Sequence, residues 1–307
     1  MKIKILGSGA GGGLPQWNCN CENCTHARNG TGDVKPRTQS SIAVSEDGKD
    51  WILINASPDL LAQLRAHPEL QPARSIRDTG IAAVLLIDAQ IDHVAGLLMM
   101  RERSTALPIY ACPPVLADLS GGLPLIPLLE HYCGVEQHAI TLEKPFTIAP
   151  LSGIRFTAIP IDSKAPPYSP RRNAPAPGDN IALLIENLDT RARAFYAPGL
   201  ASISESVLGA MHSASLVLVD GTFWTPTEMI NFGLSTKRAA DMGHLAQCGH
   251  DGMPGMVQIL DSLPAATRKV LTHVNNTNPI LDPHSAECTV LRNRGIEVAH
   301  DGMQFKV

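Results

Sequence analysis

The chain has 307 residues, of which 44% are hydrophobic and 18% are charged, a composition typical of a globular protein and not of a disordered one. No run of eighteen apolar residues occurs, so the sequence predicts no membrane-spanning helix. The net charge of −4 and the aromatic content of 4% argue against nucleic-acid binding, which needs a basic surface and stacking side chains.

Along the sequence, short apolar runs alternate with turn signals, and this pattern predicts the secondary-structure elements. Ten strands are predicted from runs of β length, at residues 2–6, 41–45, 51–55, 81–87, 109–111, 156–161, 181–186, 194–197, 216–219 and 269–272. Helices are predicted at 58–67 and 94–103. The proline-rich segment 162–180 is predicted to be a loop, of the kind that often forms a lid or a binding loop. No linker divides the chain, which predicts a single α/β domain over residues 1–307.

The cysteines indicate a metal site in a reducing compartment. Three of the seven, Cys19, Cys21 and Cys24, lie within six positions, and no apolar run of secretory-signal length precedes them. This crowding favours metal binding in a cytoplasmic protein over a disulfide framework. Zinc in a closed structural site takes four ligands, so a distant residue is expected to complete a zinc-binding loop around 17–26. The alternative is three unrelated thiols.

A second cluster of polar residues follows the predicted strand 81–87. Asp88, Gln90, Asp92 and His93 stand where this strand runs into a helix, so their side chains can converge on one point. Asp92 and His93 together suit a metal. Read without other context, Asp92 is equally well explained as a helix N-cap beside a solvated histidine.

Two further histidines follow later elements. His273 comes directly after the strand 269–272 and opens an asparagine-rich turn, and His244 stands beside a glycine. Each is either a metal-site residue or a hydrogen-bonded structural histidine. Arg171 and Arg172 lie in the proline-rich loop, where they either contact substrate carboxylates or remain solvated.

These segments together resemble the metallo-β-lactamase superfamily, whose signature is T-H-x-H-x-D-H-x-x-G at a strand-to-helix junction. The signature falls on residues 87–96 and matches at Asp92, at His93 and at the final glycine. Its two leading histidines are replaced by Asp88 and Gln90. The resemblance implies a four-layer αβ/βα sandwich of two mixed sheets flanked by helices.

Within the superfamily, the whole chain resembles the branch that serves pyrroloquinoline quinone (PQQ) biosynthesis. The segments 17–24, 88–93 and 273–279 carry this resemblance. It implies action on a Glu-Tyr unit that has been cross-linked and trimmed from a precursor peptide, through iron- and O₂-dependent hydroxylation of the tyrosine ring. A non-catalytic carrier, which assists transport of PQQ or its precursor to the periplasm, is the alternative, and a residual metal-dependent hydrolase is a third reading. Other PQQ pathway proteins are the expected partners, and a homodimer is left open.

The resemblance also assigns residues. Its surviving metal positions are Asp92, His93 and His273, and two histidines with one carboxylate are typical of non-heme Fe(II) oxygenases. His244 is expected to transfer protons, with Asp220 a weaker candidate for the same site. Asp88 and Gln90 are expected either to surround the metal ligands without binding the metal or to bind the substrate. The expected bridging carboxylate is missing at 196–198, where the chain reads Tyr-Ala-Pro. In a related phosphodiesterase the last zinc ligand stands three residues past the closing histidine, a position that is Asn276 here.

Overall fold

The computed structural model describes residues 1–307 and contains two seven-stranded mixed sheets flanked by helices. The strands are β1 (Lys2–Gly7), β2 (Ser41–Ser45), β3 (Trp51–Ile54), β4 (Ile81–Leu85), β5 (Leu107–Ala111), β6 (Val135–Ala139), β7 (Phe146–Ile148), β8 (Leu151–Pro160), β9 (Ile181–Asn187), β10 (Arg193–Ala197), β11 (Leu216–Asp220), β12 (Arg268–Thr272), β13 (Ile296–Val298) and β14 (Gln304–Lys306). The α-helices are α1 (Glu22–Asn29), α2 (Leu60–Ala66), α3 (Ile91–Val94), α4 (Pro113–Ser120), α5 (Leu125–Glu130), α6 (Glu205–His212), α7 (Glu228–Asn231), α8 (Met256–Asp261) and α9 (Ala286–Asn293). None of these helices combines the length and the apolar character needed to cross a bilayer.

The strand order is β14-β1-β2-β3-β4-β5-β6 in one sheet and β13-β12-β11-β10-β9-β8-β7 in the other. Because successive side chains of a strand point to opposite faces, each strand supplies two layers. On β11, Leu216 and Leu218 enter the core between the sheets, whereas Val217 and Val219 pack on the helical side. This alternation produces the four-layer αβ/βα sandwich that the resemblance implies.

All ten predicted strands are present, and the largest difference is at β8, which begins at Leu151. The short edge strands β6, β7, β13 and β14 were not predicted. The predicted helix 94–103 is present only in part, because α3 ends at Val94 and a 3₁₀-helix, Ala95–Met100, follows. The cause is Gly96, whose backbone N–H donates to Ala56 O at 2.9 Å and so leaves the helical hydrogen-bond ladder. The segment 162–180 contains no helix or strand, as predicted.

The carboxyl ends of β4, β11 and β12 meet at one edge of the sandwich. The glycine-rich segment joins the two sheets there, because Gly9 forms bridges with both Gln39 and Val274. Ala10 N donates to Val274 O, and Val274 N donates to Ser8 O, both at 2.9 Å. Polar residues that leave these strand ends therefore come together from distant parts of the sequence.

Candidate metal centre

Three potential metal ligands converge between the two sheets. Asp92 and His93 lie on α3, and His273 follows β12. Asp92 Oδ2 is 3.4 Å from His273 Nε2 and 3.8 Å from His93 Nε2, and one donor atom from each residue lies within 4.8 Å of the others. The structure therefore brings together the three residues that the sequence assigns to iron.

Asp88 holds one of these ligands in a fixed orientation. Its carboxylate accepts from His93 Nδ1, with Oδ1 at 2.8 Å and Oδ2 at 2.9 Å. His93 Nε2 is buried and has no hydrogen-bond partner, although buried polar atoms are rarely left unpaired. Histidines that bind metals usually donate their other ring N–H to a carboxylate or a carbonyl. A cation beside Asp92 would satisfy this nitrogen, so the residues present fit a metal ion.

The carboxylates and the imidazoles of the site stabilise one another in their charged forms. Burial opposes a charge on His93, but the carboxylates of Asp88 and Asp92 outweigh it and raise the pKa of the imidazole to about 9. Burial alone would raise the pKa of Asp92, yet His93 and His273 hold the pKa of this carboxyl well below its usual range. The ligand carboxylate is therefore ionised, as metal binding requires.

A second hydrogen-bonded group lies on the other side of His273. The carboxylate of Asp220, at the end of β11, accepts from His244 Nδ1 at 2.9 Å and from Thr222 Oγ1 at 2.6 Å. Burial opposes ionisation of Asp220, but His244 and these hydrogen bonds lower its pKa. Asp220, His244 and His273 could by spacing alone hold a cation. Because His244 Nδ1 is already bonded to the carboxylate, the arrangement is better explained as support for two imidazoles.

The backbone at His273 is left-handed, with φ 57°. A non-glycine residue with positive φ is uncommon and often marks a functional site. The ring of His273 packs against both other histidines, at centroid distances of 5.5 Å from His93 and 5.4 Å from His244. His273 therefore stands between the two halves of the site.

Two positions that bind metal elsewhere in the superfamily are used differently here. Gln90 is turned away from the ligands, and its Nε2 donates to Lys164 O at 3.0 Å. Tyr196, near the end of β10, is fully buried, and its hydroxyl is 3.4 Å from Ser40 Oγ. No carboxylate replaces the bridging aspartate at this strand end.

The proline-rich loop is fixed in place. Arg171 forms ion pairs with the buried Asp118 at 2.9 Å and with the buried Asp179 at 2.8 Å, while Arg172 donates to Ala165 O. Arg171 is thus held by two carboxylates of the protein itself, so the expectation that it contacts substrate or remains solvated is wrong, whereas Arg172 is half-buried and its expected role stays a prediction. The reason is the two buried aspartates, which need a cation.

The loop also passes over the site. Lys164 O accepts from Gln90, the Tyr168 hydroxyl donates to Ala89 O, and Ser163 Oγ donates to Gly243 O at 3.4 Å. These contacts tie it both to the segment before α3 and to the segment before His244.

The cysteine cluster forms a compact second site. The Sγ atoms of Cys19, Cys21 and Cys24 lie within 4.8 Å of one another. The side-chain amide of Asn276 points at all three, with Nδ2 at 3.1, 3.6 and 3.3 Å. Rotation of this amide by half a turn brings Oδ1 to the same point, which gives three thiolates and one oxygen around a single position.

Three residues that shape the site were not among the predicted site residues. Thr222 contacts both His244 and His273, and its only signal was its place two residues after a buried strand. Asn55 is buried at the end of β3, and its Oδ1 accepts from Ile87 N at 3.2 Å. Gly11 brings the glycine-rich segment so close that an added Cβ would lie 3.2 Å from Asp92 Oδ2.

Known proteins share the sequence and the fold of this chain. Residues 50–274 match the Beta-lactamase superfamily domain. Coenzyme PQQ synthesis protein B of Cupriavidus necator is 57% identical over 304 residues, covering 99% of this chain and 98% of that protein. The protein of the same name from Pseudomonas aeruginosa is 53% identical, with full coverage of both chains. The crystal structure of Zn²⁺-bound PqqB from Methylobacterium extorquens has a TM-score of 0.90 and 36% identity, with full coverage of both chains.

Proposed function

The chain belongs to the family of coenzyme PQQ synthesis protein B, within the metallo-β-lactamase superfamily, and from this premise we propose that it catalyses a hydroxylation in PQQ biosynthesis. The substrate is the cross-linked Glu-Tyr intermediate from the precursor peptide, and the tyrosine ring is hydroxylated. One Fe(II) is the cofactor, held by Asp92, His93 and His273. The reaction takes place in the cytoplasm, with other PQQ pathway proteins supplying the intermediate.

The ligand count carries this proposal. A dinuclear hydrolase needs ligands for two metals and activates a bridging hydroxide between them. Here Asp88 is bonded to His93, Gln90 is bonded to Lys164, and the end of β10 offers no carboxylate. What remains is two histidines and one carboxylate, which suits a single iron with open positions. Zinc fits the same donors but offers no redox chemistry.

When bound, Fe(II) supplies the activation of O₂. Each hydroxylation places one oxygen atom on the ring and releases the other as water, which consumes two electrons from a reductant and two protons. His244 is placed to move a proton at Nε2, because its Nδ1 is engaged by Asp220. Burial opposes a charge on His244, but Asp220 raises its pKa, so the imidazole can hold a proton near neutral pH.

The cysteine site has a structural role in this proposal. Cys19, Cys21 and Cys24 bind zinc, and Asn276 supplies the fourth ligand through Oδ1. The Zn²⁺-bound relative supports metal binding in this family.

The experiment uses protein purified anaerobically, loaded with Fe(II) and given the cross-linked intermediate with ascorbate as reductant. We expect about one iron per chain, O₂ uptake and a product heavier by one oxygen atom. His273→Ala should lose the iron and the uptake. His284→Ala, at an exposed histidine paired with Asp33, should retain both.

Iron-loaded protein that consumes no O₂ with the intermediate would overturn the hydroxylase. Tight binding of PQQ by the same protein without turnover would establish the carrier in its place. Retention of iron by His273→Ala would refute the ligand set.

A further inference from the structure

The hydroxyl of Thr222 lies at the centre of four polar groups. Its Oγ1 is 2.6 Å from Asp220 Oδ1, 2.9 Å from His273 Nδ1 and 3.1 Å from His244 Nδ1. It is also 3.0 Å from the carbonyl oxygen of His273. The side chain is almost completely buried, so water does not replace these contacts.

Counting hydrogens decides the direction of each bond. A hydroxyl has one hydrogen to donate and two lone pairs with which to accept. The carboxylate of Asp220 and the backbone carbonyl of His273 can only accept, so the single hydroxyl hydrogen goes to one of these two oxygens. We assign it to Asp220 Oδ1, which is the nearer at 2.6 Å against 3.0 Å. Asp220 Oδ1 also accepts from Thr222 N at 2.9 Å, and Oδ2 accepts from Leu200 N at 3.0 Å. This carboxylate is therefore held firmly, and the lone pairs of Thr222 are left to accept from the imidazoles.

The Thr222 hydroxyl can accept a hydrogen bond from His273 only if Nδ1 of that ring carries the hydrogen. The same holds for His244, whose Nδ1–H is shared between Thr222 and Asp220 Oδ2. With the hydrogen on Nδ1, each neutral ring has a bare Nε2. For His273 that nitrogen is the one 3.4 Å from Asp92, on the metal side.

We propose that Thr222 is a positioning residue that connects Asp220 to His273 and so fixes which nitrogen of His273 is offered to the metal. Asp88 does the same for His93 directly. Each histidine ligand then has its own carboxylate behind it, one in contact and one through a hydroxyl. This role rests on the proposed ligand set, and it does not depend on the reaction that the metal supports.

The test compares Thr222→Val with Thr222→Ser in protein whose cysteine site remains filled with zinc. Valine has nearly the shape of threonine but leaves a buried Nδ1–H without an acceptor. Loss of a hydrogen-bond partner behind a metal-binding histidine lowers metal affinity about 10–100-fold. We expect that loss for zinc bound at Asp92, His93 and His273, measured by competition with a chelator, and near wild-type affinity for Thr222→Ser. Thr267→Val is the matched control, because this threonine is also buried and donates to Ala214 O, away from the site.

A spectroscopic measurement separates positioning from general damage. In protein with Co²⁺ at this site, the exchangeable Nδ1–H of a bound histidine gives a strongly shifted proton signal. The His273 signal should exchange with water faster in Thr222→Val than in wild type or Thr222→Ser. If Thr222→Val does not fold, Thr222→Ala provides the same comparison.

Two results would overturn the proposal. One is wild-type zinc affinity and unchanged exchange in Thr222→Val, and the other is an equal loss in Thr222→Ser, which would assign the effect to the methyl group. Neither measurement uses O₂ or the PQQ intermediate. A failure here leaves the hydroxylase proposal intact, and a failure of hydroxylation leaves this one intact.

Discussion

Asp88 occupies the place of the first histidine in the metallo-β-lactamase signature, and it hydrogen-bonds to the proposed ligand His93. Both oxygens of its carboxylate contact His93 Nδ1. In the proposed ligand set, this exchange removes a ligand from one metal position and places a hydrogen-bonded carboxylate behind His93 at the neighbouring position. Together with Gln90 and the missing bridging carboxylate, it favours one metal over two in the proposed site.

The raised pKa of His93 makes metal binding depend on pH. Because the pKa is about 9 without metal, the imidazole must lose a proton before it binds a cation below that pH. We expect the apparent zinc affinity to rise about tenfold per pH unit between pH 6 and 8, measured by chelator competition. Asp88→Asn should lower the pKa and flatten this dependence.

Asp33→Asn is the control, since Asp33 is an exposed carboxylate that pairs with His284 and not with His93. An equal dependence of zinc affinity on pH in wild type and Asp88→Asn would contradict the role assigned to Asp88.

Glu228 is a buried carboxyl that affects stability. Burial raises its pKa from 4.5 to about 7, so its folded pKa is above its unfolded one. Its contribution to stability is complete below about pH 4.5 and is lost as the pH rises through 7. Glutamine can still accept from Trp224 N and donate to the Thr277 hydroxyl, the two partners of the carboxyl. Glu228→Gln should therefore raise the free energy of unfolding at pH 8, by at most about 3 kcal/mol.

Urea unfolding at pH 5 and pH 8 measures this effect, with the exposed Glu102→Gln as control. A Glu228→Gln protein that is less stable than wild type at pH 8 would show that the ionised carboxylate is favourable.

At the scale of the element, α3 is positioned by a glycine. A Cβ at Gly96 would lie 2.1 Å from Ser57 O and 2.8 Å from Ala56 O, and both are backbone atoms that cannot turn aside. Gly96→Ala should shift α3 with its two ligands, cost about 1–3 kcal/mol of stability and weaken metal binding. Thermal unfolding and zinc titration measure the two effects.

Gly209 on α6 is the matched control, because a Cβ there meets nothing within 4 Å. Gly209→Ala should stabilise the helix by up to about 1 kcal/mol. Similar losses of stability and of zinc binding in Gly96→Ala and Gly209→Ala would show that the close approach at Gly96 does not cause them.

The strands were predictable from the sequence because their apolar runs are continuous and buried. The proximity of Asp92 and His93 to His273 was predictable because the signature survives at Asp92 and His93. Short edge strands such as β6 were not predictable, since their side chains are mostly exposed and carry no hydrophobic period. Thr222 was missed because its importance depends on β11 and β12 lying side by side, and no local pattern reports that pairing.

At the scale of the whole molecule, the two proposed metal centres share one turn. His273 and Asn276 are three residues apart, and the backbone between them is tied to the glycine-rich segment through Val274 and Ser8. Cys24→Ser should release the zinc, lower the melting temperature and weaken metal binding at His273. Metal analysis and calorimetry measure these effects, and Cys133→Ser, outside the cluster, should change neither. Unchanged affinity at His273 after loss of zinc would show that the centres are independent.

Under the proposed function, this shared turn makes the activity depend on two metals. Growth medium poor in zinc is then expected to limit PQQ output even when iron is plentiful, because newly made chains would lack the zinc that holds the turn behind His273.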